Sequence, residues 1–284
     1  MADKKVKIGL VQAKASDGIE SNLKNTAKLV GNGASKGAKI ICLQELFATK
    51  YFCQEEKKEV FGMAESIPGK LAKFLSNTAK ENKISLIGGS IFEKDGNKYY
   101  NTSLVFDENG KLKAKYRKIH IPYDPKYYEQ FYFSSGNIGY TQAYVAGVKV
   151  SPLICYDQWY PEAARINALK GAQIIFYPTA IGFTKDMKQN EPFSAQRWEN
   201  AMCGHASMNG VYVAAVNRIG KENDINFWGG SFIADPFGNV IARASFDKEE
   251  VLVAEIDLSK VFTSQESWGF LKNRRPMTYR DLYE

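Results

Sequence analysis

The chain has 284 residues, 44% of them hydrophobic and 24% charged. These are the ordinary proportions of a globular protein able to bury a sizeable core, and one large α/β domain over residues 1–284 is expected. The formal net charge is +7, but Lys and Arg are interleaved with Asp and Glu and form no basic tract, which argues against nucleic acid as a partner. No apolar run reaches the ~18 residues of a membrane span, and MADKKVKIGLVQA reads as a charged lead into a strand, not a signal peptide; a cytoplasmic protein without membrane contact is expected.

In chain order, KIGLVQA, AKIICL and ISLIGGSIF read as buried strands, separated by helical periods at Asn22 to Lys36 and Lys70 to Lys80. That alternation is the pattern of βα repetition. Asn97 to Phe106 and Lys111 to Arg117 flank the turn sequence DENG and predict a hairpin. Tyr144 to Ile154, a helix over Pro161 to Lys170, and AQIIFYP make a second βαβ passage. A helix over Glu191 to Asn209, a buried strand over Val211 to Val216 and a hairpin in SFIADPFGNVIARA complete the series. Two sheets packed together with helices outside are predicted, without linker or low-complexity segment. The polar, basic and aromatic segment Leu258 to Glu284 is a candidate contact with a neighbouring subunit.

Cys42, Cys53, Cys155 and Cys203 show neither CxxC nor Cys/His spacing, so neither a disulfide framework nor a zinc site is expected. Cys155 differs from the others in its setting. It ends the apolar run VSPLIC and precedes a helix that opens at Pro161. In α/β folds chemistry collects beyond the carboxyl ends of strands, where helix N-termini supply free N–H groups. Glu45 after KIICLQ and Lys118 after KLKAKYR occupy similar positions. Taken singly, Cys155 is equally a small buried hydrophobe, Glu45 a strand cap and Lys118 one of a solvated run. His120 and His205 belong to no recognisable protease signature, so a catalytic thiol here requires a base other than histidine.

Together, Glu45 in LQELF, Lys118 in YRKIHIP and Cys155 in ICYDQWYPEAAR resemble the Glu, Lys, Cys triad of the nitrilase superfamily of carbon–nitrogen hydrolases. KIHIPYDPKYYEQFYFSSG, CYDQWYPEAARINALKGAQIIFYPTAIG, GHASMNGVYVAAVNRIGKE, GGSFIADPFGNV and SWGFLKNRRP are similar, in order, to the N-carbamoylputrescine amidases. The resemblance implies a four-layer α-β-β-α sandwich, a homo-oligomer built from dimers, and a fourth site residue, Glu129. It also implies that Glu45 is the general base and Cys155 the nucleophile. Lys118 and the backbone N–H of Tyr156 would stabilise the oxyanion, and Glu129 would hold Lys118 and the substrate. Neither metal nor organic cofactor is implied.

The implied substrate is a small N-carbamoyl amine whose distal ammonium calls for an acidic or aromatic receiver. Asp157, Glu162, Asp186 and Tyr127 are the candidates, with Tyr156, Trp159 and His120 as further lining. The chain departs from the pattern at Phe183 to Asp186, where related amidases carry a Ser-Glu-Pro type loop, and at Tyr123, where Asp is common. A β-ureidopropionase, binding a carboxylate through Lys185 or Arg197, is the first rival reading; an ω-amidase or nitrilase is another. A catalytically inert oligomeric binding protein is the reading from a different class.

Overall fold

Continuous apolar runs, the mark of strands covered on both faces, decide the architecture. The computed structural model describes residues 5–283. Strand Lys5–Gln12 pairs antiparallel with Glu250–Asp257 and parallel with Ile40–Cys42. Beyond Ile40–Cys42 the sheet continues through Ser85–Ile87 to Lys98–Phe106, which pairs with Ile91–Asp95 and Leu112–Arg117. These make a seven-stranded sheet among the described residues. The second sheet, six-stranded, has Val148–Pro152, Ile174–Thr179 and Tyr212–Asn217 parallel at its centre. Antiparallel Ala143–Val145 flanks them on one edge, and Phe232–Ala234 with Val240–Arg243 on the other.

Each strand sends alternate residues into two different cores. Ile8, Leu10, Ile40 and Cys42 meet Val150, Ile174, Phe176, Ala214 and Val216 between the sheets. Val11 and Ile41 turn the other way, toward helices Ile19–Ser35 and Lys70–Asn82. Ile175, Tyr177, Val213 and Ala215 likewise face Ala163 and Ala164 of helix Pro161–Leu169 and Trp198, Met202 and Ala206 of helix Ser194–Asn209. The order of layers is therefore helix, sheet, sheet, helix, as expected. Among the described residues no helix is long and apolar enough to cross a membrane.

Three elements differ from the periodicity. ISLIGGSIF is broken into two strands at Gly88 to Ser90, because Gly89 takes φ +60° and lies against the Gln44 carbonyl. A Cβ there would stand 2.0 Å from that oxygen, so only glycine fits. Tyr144 to Ile154 is a hairpin turning at Ala146 and Gly147, both at positive φ. The helix expected from Glu191 begins at Ser194, after a separate helix Lys185–Asn190 capped by the Thr184 hydroxyl, which accepts from Met187 N–H at 3.1 Å. The C-terminal segment opens with helix Ser259–Trp268 and leaves Trp268 and Met277 exposed.

Candidate active site

Strand Val148–Pro152 runs out at a proline, and the chain then enters a tight 3₁₀ turn, Cys155–Trp159, before helix Pro161–Leu169. Cys155 heads the turn at φ +41°, a left-handed conformation costing a non-glycine residue about 1–3 kcal/mol. The first N–H groups of such a turn have no partner within it, and Tyr156 N–H is among them. The turn is held by Asp157, whose Oδ2 accepts Ile154 N–H at 3.0 Å and the Tyr116 hydroxyl at 2.8 Å. Its Oδ1 lies 3.1 Å from the His120 N–H that donates to it and 2.7 Å from His120 Nδ1. Asp157 thus braces the cysteine turn against the loop that follows Lys118.

Lys118 is fully buried between two carboxylates. Its Nζ donates to Glu45 Oε1 at 2.8 Å and to Glu129 Oε2 at 2.6 Å. Asn101 Nδ2 donates to the same Glu45 oxygen at 2.8 Å, and the Tyr51 hydroxyl donates to Glu129 Oε1 at 2.8 Å. The other Glu45 oxygen, Oε2, is buried and has no partner among the described residues. Gly136 closes over the lysine backbone, its N–H donating to Lys118 O at 2.8 Å, where a Cβ would meet Arg117 O at 2.1 Å.

The Glu45 loop is clamped from both large sheets. Leu46, at φ +47°, donates its N–H to Ser90 Oγ at 2.9 Å. Arg218, fully buried just beyond strand Tyr212–Asn217, donates Nη2 to the carbonyls of Glu45 and Leu46 at 2.8 and 2.9 Å. Glu222 neutralises Arg218 at 2.9 Å and accepts Tyr51 N–H at 2.6 Å. One buried ion pair therefore sets both Glu45 and Tyr51.

These contacts define the electrostatics. Burial works against the Lys118 charge, but Glu129, Glu45 and Cys155 outweigh it and hold the lysine well above its usual pKa, so it remains an ammonium. Glu129 is pushed up to about 7 by burial, opposed by Lys118 and reinforced by Glu45. Burial and then the Glu45 charge push the Cys155 thiol well above its ordinary value, and Lys118 only partly counters them. At rest the Cys155 side chain is therefore a neutral thiol, and a thiol in this state would need a base to become a thiolate. Cys155 Sγ is 4.0 Å from Ala180 O, in a loop held by Asn217, which accepts Ile181 N–H at 3.0 Å and donates to Ile181 O at 2.9 Å.

The residues expected at the substrate separate into two groups. Tyr127 faces the cluster: its hydroxyl donates to Gly182 O at 3.0 Å, and its ring lies 5.6 Å from that of Tyr51, whose hydroxyl donates to Glu129. Tyr156 is half-buried beside Cys155. His120 stacks on Tyr160 at 3.7 Å, and Trp159 lies under the Arg197 guanidinium at 5.8 Å. Asp157 is already engaged by Tyr116, Ile154 and His120, which leaves it a brace and not a receiver of ammonium. Glu162 and Asp186 are exposed in the first turns of helices Pro161–Leu169 and Lys185–Asn190, where a carboxylate complements the helix N-terminus. Lys185 and Arg197 are exposed as well, and Arg197 pairs with Glu191 at 3.6 Å.

Tyr51, Asn101, Asn217 and Arg218 escaped the sequence reading. Asn101 lies inside strand Lys98–Phe106 and Asn217 ends strand Tyr212–Asn217, and a polar residue in or at the end of a buried strand is the signal that could have exposed them. Arg218 and Glu222, four residues apart in NRIGKE, look like a surface pair until the fold buries them.

The carbon–nitrogen hydrolase family model matches residues 7–263. An N-carbamoylputrescine amidase of Solanum lycopersicum is 40% identical over 99% of this chain and 97% of its own length. A citrullinase of Francisella tularensis is 37% identical over 98% of each chain. The crystal structure of a carbon–nitrogen hydrolase from Helicobacter pylori G27 superposes with a TM-score of 0.94 at 37% identity, over 99% of both chains. With helices outside two facing sheets and a similarity that runs nearly end to end, the chain belongs to the carbon–nitrogen hydrolases of the nitrilase superfamily, enzymes acting on amide-type carbon–nitrogen bonds.

Proposed function

We propose that the protein is an N-carbamoylputrescine amidase, releasing ammonia, carbon dioxide and putrescine. Glu45, through its unpartnered Oε2, takes the proton of the Cys155 thiol. The thiolate attacks the ureido carbon, and the oxyanion that forms is met by Lys118 Nζ and Tyr156 N–H. The intermediate collapses by breaking the bond to the terminal nitrogen, which leaves as ammonia with the proton returned by Glu45. Water, deprotonated by Glu45, then attacks the S-carbamoyl enzyme; the thiolate departs and is reprotonated, and the free carbamate loses carbon dioxide to give the amine. Glu129 and Tyr51 keep Lys118 aimed throughout.

The observation that carries the chemistry is the buried lysine held between two carboxylates, one of which has an oxygen left free. The substrate assignment is supported by the near full-length similarity to the tomato amidase. The citrullinase match supports a second reading, because citrulline carries the same ureido group. The test is ammonia release from N-carbamoylputrescine, L-citrulline and N-carbamoyl-β-alanine, with Cys155→Ala as control. We expect the highest kcat/KM for N-carbamoylputrescine and no turnover in the variant. A higher kcat/KM for either amino acid substrate would replace the assignment.

A further inference from the structure

The acidic residues expected to receive the distal ammonium are engaged elsewhere or lie on helix surfaces, whereas another carboxylate stands where the ribbon beside the site would place a receiver. Tyr123–Asp124 and Tyr127–Tyr128 form a two-stranded antiparallel ribbon in which Asp124 is directly opposite Tyr127 and Tyr123 opposite Tyr128. Directly opposed residues of an antiparallel pair put their side chains on one face. Tyr123 and Tyr128 share the face away from the site, with rings 5.5 Å apart and the Tyr123 hydroxyl on Glu56 at 2.7 Å. Tyr127 points inward, its hydroxyl also accepting Gly182 N–H at 3.1 Å. Asp124 therefore lies on the same face as Tyr127, at the exposed turn end of the ribbon.

Asp124 is also a charge without a match. It is exposed and forms no ion pair among the described residues, while the neighbouring Lys126 is neutralised by Asp224 at 2.6 Å. The Tyr156 phenol, adjoining the nucleophile, is pushed up by burial, by Tyr160 and by the Asp124 charge, and pulled down by Lys118. Both charges thus act on one half-buried ring.

We propose that Asp124 binds the distal cationic group of the substrate, with Tyr127 and Tyr156 flanking the methylene chain, and so selects ureido compounds that end in an ammonium. This rests on the function proposed above and names the residue that enforces it. The position also gives a meaning to the departure at Tyr123: the acid of this loop stands one residue later, where the ribbon register turns it inward.

The test compares N-carbamoylputrescine with pentylurea, which replaces the ammonium by a methyl group, and with N-carbamoyl-β-alanine. In Asp124→Asn, KM for N-carbamoylputrescine should rise roughly fivefold, the scale of one partly exposed charge pair, with kcat and the pentylurea constants unchanged. Added salt should raise KM for the cationic substrate in the wild type and have little effect in Asp124→Asn. Asp124→Glu should restore most of the preference, and Asp124→Lys should weaken the cationic substrate further. A wild type that prefers the cation, together with an Asp124→Asn variant of unchanged KM, would overturn the inference alone. A wild type that prefers N-carbamoyl-β-alanine or pentylurea would overturn the proposed function and this inference with it.

Discussion

Arg117 and Lys118 are neighbours in sequence, both buried, and each sits among carboxylates, yet their surroundings are opposite in kind. Arg117 makes a fork to Glu93 at 2.9 and 2.6 Å and reaches Asp95 at 2.7 Å and Asn137 at 2.8 Å, with its guanidinium 3.8 Å over the Tyr100 ring. Lys115 and Thr102 complete the Glu93 carboxylate, each at 2.6 Å. Burial would raise the pKa of Glu93, but the hydrogen bonds from Arg117, Lys115 and Thr102 win and lower it. In the Lys118 cluster the balance goes the other way: Glu129 is raised to about 7 and Glu45 keeps an unpartnered oxygen. A network whose every acceptor is satisfied stabilises a fold; one with a buried oxygen to spare retains the capacity to take a proton. Successive residues of an extended chain face opposite ways, so a single step along it separates the two networks.

The contrast can be broken most sharply at Glu45. Glu45→Gln keeps the shape and an acceptor for Lys118 and Asn101 but removes the proposed base, so kcat should fall by about 10²–10⁴, while Glu129 keeps Lys118 paired and the fold intact. A kcat within tenfold of the wild type would remove Glu45 from the base role. The matching change in the other network, Glu93→Gln, should do the reverse. Breaking a buried ion pair costs about 3–5 kcal/mol, so urea unfolding should shift strongly while kcat of the folded enzyme stays close to normal. Equal losses of rate in the two variants would erase the distinction.

The smallest effect lies in the pH dependence of stability, and it sharpens the comparison because the two carboxyls contribute with opposite sign. Glu129 has a folded-state pKa of about 7 against an ordinary 4.5, so between those values the native state holds more protons and its contribution to stability falls as pH rises. Glu93, lowered, contributes stability that is present above pH ~4.5 and is lost as pH falls through its folded-state pKa. Unfolding free energies measured from pH 4 to 8 should therefore show a downward component over the upper window that disappears in Glu129→Gln. An unchanged slope in that variant would mean that Glu129 is ionised throughout.

Much of this could be read from the chain because it is local. The hairpin at DENG follows from Asp107, whose Oδ1 accepts the N–H groups of Asn109 and Lys111 at 3.0 and 2.9 Å. The hairpin in SFIADPFGNVIARA turns in the same way on Asp235, which accepts from Phe237 and Asn239 at 3.0 Å each. Asp157 shows where local reading stops. Its position two residues after Cys155 suggested a substrate contact, but whether a carboxylate is free depends on what other segments offer it, and Tyr116 and His120 come from a different strand and loop.

By itself, the sequence determined the alternation of strands and helices, through side-chain periods of two and of about 3.6 residues, and the placing of Glu45, Lys118 and Cys155 just beyond strands. Tertiary structure decided which charges meet. Glu45 reaches Lys118 across 73 residues of chain and Arg218 across 173, and each contact exists only because strands distant in sequence lie close in space. It also decided that Asp157 is occupied while Asp124 has no side-chain partner among the described residues, since a hydrogen-bond partner supplied by another segment leaves no trace in the local pattern.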